Sequence, residues 1–152
     1  MIEIITKSAK ETKKAGFALA KKLKNKPLLK HAFVVALSGN LGSGKTTFTQ
    51  GFAEGLGIKE NILSPTFVIQ KDFLITNGVF NNFYHIDAYR LKNPEELLEL
   101  GFKDLIKNPE NLIIIEWADK IKKILPKNIF KMKFVNLEKN KRKITHEEVY
   151  SH

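Results

Sequence analysis

The chain contains no cysteine, which excludes disulfides, thiolate metal sites and cysteine nucleophiles. That absence fits a reducing compartment. Long apolar runs are missing too: none approaches the roughly 18 residues needed to span a bilayer. The first residues, Met1 to Ile5, are too short and too acidic for a secretory signal. A cytoplasmic protein is expected. Arginine is confined to Arg90 and Arg142, although the formal net charge is +10. Specific recognition of phosphates and bases favours arginine. The lysines that carry the charge instead are read as a solvated surface, with a weak attraction to RNA as the other reading. No internal repeat, low-complexity segment or interdomain linker interrupts the 152 residues. That length suits a single domain with one core.

Within it, strands and helices alternate. Ile2 to Thr6 reads as a short strand, and Ser8 with Glu11 forms a capping pair that starts a helix. Thr12, Gly16, Leu19, Ala20 and Leu23 recur along that helix at helical spacing. Ala32 to Leu37 is an apolar, β-branched run of the kind found in buried parallel strands. A helix over Lys45 to Leu56 comes after a loop and is ended by Gly57. Asn61 to Pro65 is irregular; Thr66 to Ile75 and Val79 to Ile86 read as strands joined by a hairpin at Asn77-Gly78. Asn93-Pro94-Glu95-Glu96 starts a short helix that Gly101 closes. Leu112 to Ile115 is a second fully apolar strand, and a short helix over Ala118 to Ile124 stops at Pro126. Ile129 to Leu137 and Lys143 to Val149 read as late strands. This order predicts an α/β fold: a mixed sheet with helices on both faces, its two most apolar strands at the centre.

Between the first apolar strand and its helix lies Gly39-Asn40-Leu41-Gly42-Ser43-Gly44-Lys45-Thr46, which fits the phosphate-loop pattern GxxxxGK[ST]. Glycines let the backbone curl so that N–H groups converge on phosphate oxygens, and the helix start adds its positive dipole end. Lys45 is expected to reach the β- and γ-phosphates of a bound nucleotide, and the Thr46 hydroxyl to ligate Mg²⁺. A carboxylate is needed as a second group on the metal side. Glu116, delivered by the second apolar strand, is the candidate; a plain strand-end glutamate is the alternative. Asp87, after Tyr84-His85-Ile86, orients water or magnesium, or else caps the turn before Tyr89. His85 has no metal-ligand spacing around it and is read as a packed or surface histidine. Trp117, the sole tryptophan, is either core or a partner or substrate surface beside the phosphates.

Taken together, these stretches resemble one family, TsaE (YjeE), the small ATPase of bacterial tRNA threonylcarbamoyladenosine synthesis. The loop Gly39 to Phe48, Ser64-Pro65-Thr66-Phe67, His85-Ile86-Asp87-Ala88-Tyr89-Arg90-Leu91, Pro94-Glu95-Glu96-Leu97 and Glu116-Trp117-Ala118 carry the resemblance. It implies a P-loop NTPase-like fold, ATP and Mg²⁺ as cofactors, and action with TsaB and TsaD, with tRNA reached through that complex. By position it implies nucleotide contacts from Gly39, Leu41, Gly42, Ser43, Gly44, Lys45, Thr46 and Thr47, with Thr12 near the base. It implies metal ligation by Thr46 and Glu116, and catalysis by Asp87 with Lys45. Ser64, Pro65 and Thr66 become a nucleotide-responsive switch, with Thr66 also at the nucleotide, and Trp117 joins them as partner surface. Asn40 stands where the family usually has Asp, which removes a negative charge beside the phosphates. The alternatives are a small-molecule or nucleotide kinase, which normally needs a lid and several arginines, and a nucleotide-gated binding module with little hydrolysis. A GTPase would carry Asn-Lys-x-Asp after the loop; Asn25-Lys26-Pro27-Leu28 precedes it and lacks the aspartate. Arg142 lies in the lysine-rich tail far in sequence from every motif, and Arg90 follows Asp87 but precedes a capped helix where Glu95 or Glu96 can tie it, so slow hydrolysis without a partner is expected.

Overall fold

Along strand β2 (Phe33–Gly39), Phe33, Val35 and Leu37 belong to one buried apolar cluster, and Val34 and Ala36 to another. A strand apolar on both faces must be covered on both. In the computed structural model, which describes residues 2–60 and 70–149, it is. Helices α1 (Ala9–Leu23) and α2 (Lys45–Gly55) cover the first face through Ala20, Leu23, Phe48, Phe52 and Ala53. The second is covered by α3 (Glu95–Glu99), α4 (Phe102–Lys107) and a 3-10 helix (Ala118–Ile124), through Leu97, Phe102, Ala118 and Ile121.

One seven-stranded sheet lies between them, and β2 is its middle strand. On one side β2 pairs in parallel with β5 (Asn111–Glu116), which pairs in parallel with β4 (Asn82–Asp87). The antiparallel strand β3 (Gln70–Leu74) forms that edge. On the other side β2 pairs in parallel with β6 (Ile129–Asn136), and beyond it lie the antiparallel β7 (Arg142–Val149) and β1 (Ile2–Thr6). The expected mixed α/β sheet with β2 and β5 central is therefore the observed one. Ser8 caps α1 as predicted, its hydroxyl accepting from the Glu11 N–H at 3.1 Å. Asn93 accepts from the Glu96 N–H at 3.2 Å.

One local expectation is revised and two are refined. The β3–β4 connection is not a two-residue hairpin at Asn77-Gly78, because regular pairing ends at Leu74 and Asn82. The intervening segment instead docks on the end of α1. The Val79 N–H donates to the Lys24 carbonyl at 3.0 Å, and Ile75 and Phe80 are buried in the core. Gly101 closes α3, but a second short helix, α4, starts immediately after it and buries Phe102. The helix after Trp117 is of the tighter 3-10 form, with a break at Ile121. The start of the strand expected at Thr66 lies outside the described residues.

Helices α1 and α2 cross at backbone contact. A Cβ on Gly16 would stand 2.1 Å from the Phe48 carbonyl oxygen, one on Gly51 1.8 Å from that of Lys13, and one on Gly55 2.6 Å from that of Phe17. Only hydrogen fits at these three places. The close crossing also brings Thr12 of α1 beside Gly44, where an added Cβ would meet the Thr12 methyl at 3.4 Å. We predict that Gly51→Ala, which is neutral or better for helix propensity, nevertheless destabilises the protein by about 1–3 kcal/mol through overpacking. Urea unfolding measures this, and an unchanged midpoint would contradict the backbone contact.

Candidate functional site

Parallel strands end on the same side of a sheet, so the segments leaving β2, β5 and β4 converge at one edge. Leu37 of β2 and Asp87 of β4 both lie in register with Glu116, the last residue of β5. After β2 the chain turns through Gly39 (φ 143°) and Gly44 (φ 101°) into α2. Both angles lie where side chains are rarely tolerated. The N–H groups of the first turn of α2, Lys45 to Thr47, have no carbonyl four residues back within the helix and face the loop end with the positive helix pole.

Lys45 is almost fully buried, and its ammonium folds back over this loop. It donates to the carbonyls of Gly39 (2.7 Å) and Asn40 (2.9 Å) and to the Ser43 hydroxyl (3.2 Å). The Trp117 ring lies 4.2 Å from the same nitrogen. Burial lowers the Lys45 pKa, while the carboxylates of Glu116, Asp87 and Asp119 oppose that shift. On the next residue, the Thr46 hydroxyl donates to Glu116 Oε1 at 2.8 Å. Glu116 is 2 % exposed, and its other oxygen accepts from His85 Nε2 at 2.5 Å. His85 is fully buried.

Asp87 ends the neighbouring strand, and one of its carboxylate oxygens accepts from the Tyr89 N–H at 2.9 Å. It therefore makes the turn contact that was the alternative to a catalytic role, while remaining close enough to Lys45 to act on its charge. Trp117 is half-buried and left-handed (φ 59°, ψ 40°), a conformation costing on the order of 1 kcal/mol for a non-glycine residue. It is neither plain core nor plain surface. Its ring bridges the Lys45 ammonium and the exposed Tyr89, whose ring lies 4.9 Å away.

Thr12 is buried on the opposite flank, its hydroxyl bonded to that of Thr6 at 2.7 Å. Leu41, at the loop tip, is exposed, and Thr47 is half-buried. Ser64, Pro65 and Thr66 lie outside the described residues. Two residues were not among the sequence candidates. One is His85, whose partner Glu116 is 31 positions away. The other is Arg142, which is remote from the loop in sequence but donates from Nη2 to the Gly42 carbonyl at 3.2 Å. Register brings it there: Arg142 pairs with Thr6 of β1 and Asn136 of β6, and Gly39 pairs with Phe134 of that same β6. Arg142 lies on the β6–β7 side of β2, and Glu116 and Asp87 on the β5–β4 side.

The chemistry of the donor set fits a small hard cation. Two oxygen donors, the hydroxyl of Thr46 and the carboxylate of Glu116, meet at hydrogen-bond distance beside a buried ammonium. Among the described residues there is no cluster of three or more His, Cys, Asp or Glu that could hold a metal. Mg²⁺ suits so sparse a set, because it retains waters and phosphate oxygens in its shell.

The family model for threonylcarbamoyl adenosine biosynthesis protein TsaE matches residues 6–144. The chain belongs to the TsaE family. Similar proteins named tRNA threonylcarbamoyladenosine biosynthesis protein TsaE include one from Rickettsia felis, 38% identical over 91% of this chain and 75% of that protein. Another, from Treponema pallidum, is 32% identical over 93% and 96%. A crystal structure of Bacillus subtilis YdiB matches the fold with a TM-score of 0.75 and 31% identity, covering 98% of this chain and 86% of that one. Among the described residues of this TsaE-family chain, no helix is long and apolar enough to cross a membrane.

Because Trp117 is the sole tryptophan and stacks on the Lys45 ammonium, Lys45→Met should alter the intrinsic fluorescence. Steady-state emission spectra of the folded variant and the wild type test the contact. Superimposable spectra would contradict it.

Proposed function

We propose that this chain is the ATP-binding and ATP-hydrolysing subunit of the bacterial cytoplasmic machinery that forms N6-threonylcarbamoyladenosine in tRNA, acting with TsaB and TsaD. Membership of the TsaE family supports the pathway. The observation that carries the chemistry is the meeting of Thr46 and Glu116 beside the buried Lys45, across 70 positions of sequence. A glycine loop alone could be a turn. A glycine loop facing a strand-delivered carboxylate through its threonine is a place to hold a nucleotide and its cation.

In this reading Gly39, Leu41, Gly42, Ser43, Gly44 and Thr47 surround the phosphates with backbone, and Thr12 and Arg142 flank the loop on the other side. Lys45 exchanges its loop carbonyls for phosphate oxygens and neutralises their charge. Thr46 and Glu116 would hold Mg²⁺. When bound, that ion would supply neutralisation of phosphate charge. Asp87 orients the attacking water, and Tyr89 N–H fixes its carboxylate for that task. Ser64, Pro65 and Thr66 form the nucleotide-responsive switch on the resemblance alone, and Thr66 completes the nucleotide contacts. Together with Trp117 they make the partner surface.

Lys45→Ala should abolish measurable binding of a non-hydrolysable ATP analogue in equilibrium titration, and unchanged affinity would remove Lys45 from the site. Turnover should be slow alone. Arg142 reaches the loop, but on the side of β2 away from Glu116 and Asp87, so it is not placed to meet charge that develops there. Adding TsaB and TsaD should raise steady-state phosphate release at least about tenfold, roughly 1.4 kcal/mol off the barrier. Fast hydrolysis indifferent to both partners would point to a self-sufficient ATPase or kinase instead.

A further inference from the structure

We infer that His85 is a positioning residue that restricts Glu116 to offering a single oxygen, and thereby selects Mg²⁺ over Ca²⁺ at this site. The inference rests on the reading of Glu116 as the metal-side carboxylate, and deepens it. Both oxygens of Glu116 are engaged, each by a different element. Oε1 accepts from Thr46 on α2, and Oε2 accepts from His85 on β4. A carboxylate can only accept, so Nε2 of His85 must carry the proton of that bond. The bond pins one oxygen and fixes the plane of the group, leaving Oε1 on the Thr46 side.

The cost of keeping an imidazole here argues that this bond is its purpose. His85 is fully buried, and its Nδ1 finds no hydrogen-bond partner among the described residues. A buried polar atom left unpaired is unfavourable. An apolar side chain of similar size would fill the space without that penalty, as Phe83 does two residues earlier on the same strand and face. What an apolar residue could not do is donate to Glu116.

Ligand chemistry sets the consequence for the cation. Ca²⁺ accepts both oxygens of one carboxylate in an adaptable shell of six to eight ligands. Mg²⁺ demands near-octahedral geometry, retains waters and takes single carboxylate oxygens. A glutamate whose second oxygen is held by a histidine is hindered from chelating through both, because the imidazole N–H occupies one lone pair of that oxygen and restrains rotation of the group. It suits Mg²⁺ and penalises Ca²⁺. Freed from His85, the same glutamate would be able to swing and offer both.

The test is binding, independent of turnover. The affinity of the full chain for a non-hydrolysable ATP analogue is measured with Mg²⁺, with Ca²⁺ and with neither. The quantity read is the gain given by Mg²⁺ divided by the gain given by Ca²⁺. His85→Leu should lower this ratio at least about tenfold, the scale on which outer partners of metal ligands act. His85→Gln, whose amide can donate to Oε2, should keep it near wild type. Phe83→Leu, which loosens the same strand without touching Glu116, should leave it unchanged. If His85→Leu does not fold, His85→Phe gives the same reading. A ratio unmoved in the folded apolar variant, or lowered equally by Phe83→Leu, overturns the inference. Glu116→Gln separates the two layers. If it removes the Mg²⁺ gain while the His85 variants keep the ratio, Glu116 stands as the metal-side residue and His85 is only packing. If Glu116→Gln keeps both gains at wild type, the reading of Glu116 fails and the role of His85 falls with it.

Discussion

The parallel pairing of β2 with β5 is the constraint on which the site depends. Its register places Leu37 opposite Glu116, so the carboxylate arrives where the chain leaves β2 for the glycine loop. Parallel strands need a crossover between them, and here that crossover holds α2, β3, β4, α3 and α4. Because β4 joins the same parallel set, Asp87 reaches the same edge in register with Glu116. The apolar residues of β5, all buried, are what hold this register. A slip by one residue would turn Glu116 to the opposite face and the isoleucines with it.

Charge then explains the local arrangement. Lys45 and Glu116 are each nearly buried, and a lone charge in either position would be costly. Neither is alone. Lys45 is met by two carbonyls, a hydroxyl and an indole face, and Glu116 by a hydroxyl and an imidazole. Each buried charge is thus satisfied by groups within the site, which is what makes its burial tolerable.

Three glycines at the α1–α2 crossing connect this chemistry to the opposite flank of the sheet. They let α1 approach until Thr12 stands beside Gly44. The β7 strand brings Arg142 to the same flank. The loop and its helix start are therefore met from both sides of β2: by Glu116 and Trp117 on one, and by Thr12 and Arg142 on the other. The αL backbone of Trp117 belongs to the first of these sides. It redirects the chain after β5 so that the indole covers Lys45.

Much of this was legible in the sequence, because the signals were local. An apolar run long enough for a strand, a glycine pattern, and a cap three residues ahead of its partner are each written within a few positions. That is why β2, β5, α1 and the loop from Gly39 to Thr46 could be read directly, along with the mixed sheet and its centre. Other features depend on what one segment finds in another. The Asn77-Gly78 turn chemistry was outweighed by the burial of Phe80 and the docking of that loop on Lys24. His85 looked like an ordinary packed or surface histidine, since no spacing rule links it to Glu116, and only the β4–β5 register does so. Arg142 looked remote, since two antiparallel pairings, not sequence, carry it to Gly42. The sequence by itself determined most of the strands and longer helices, because their apolar patterns, caps and glycines are local. Tertiary structure alone decided which of them meet, because strand order and register are set by burial summed over the whole sheet and not by any one segment's own residues.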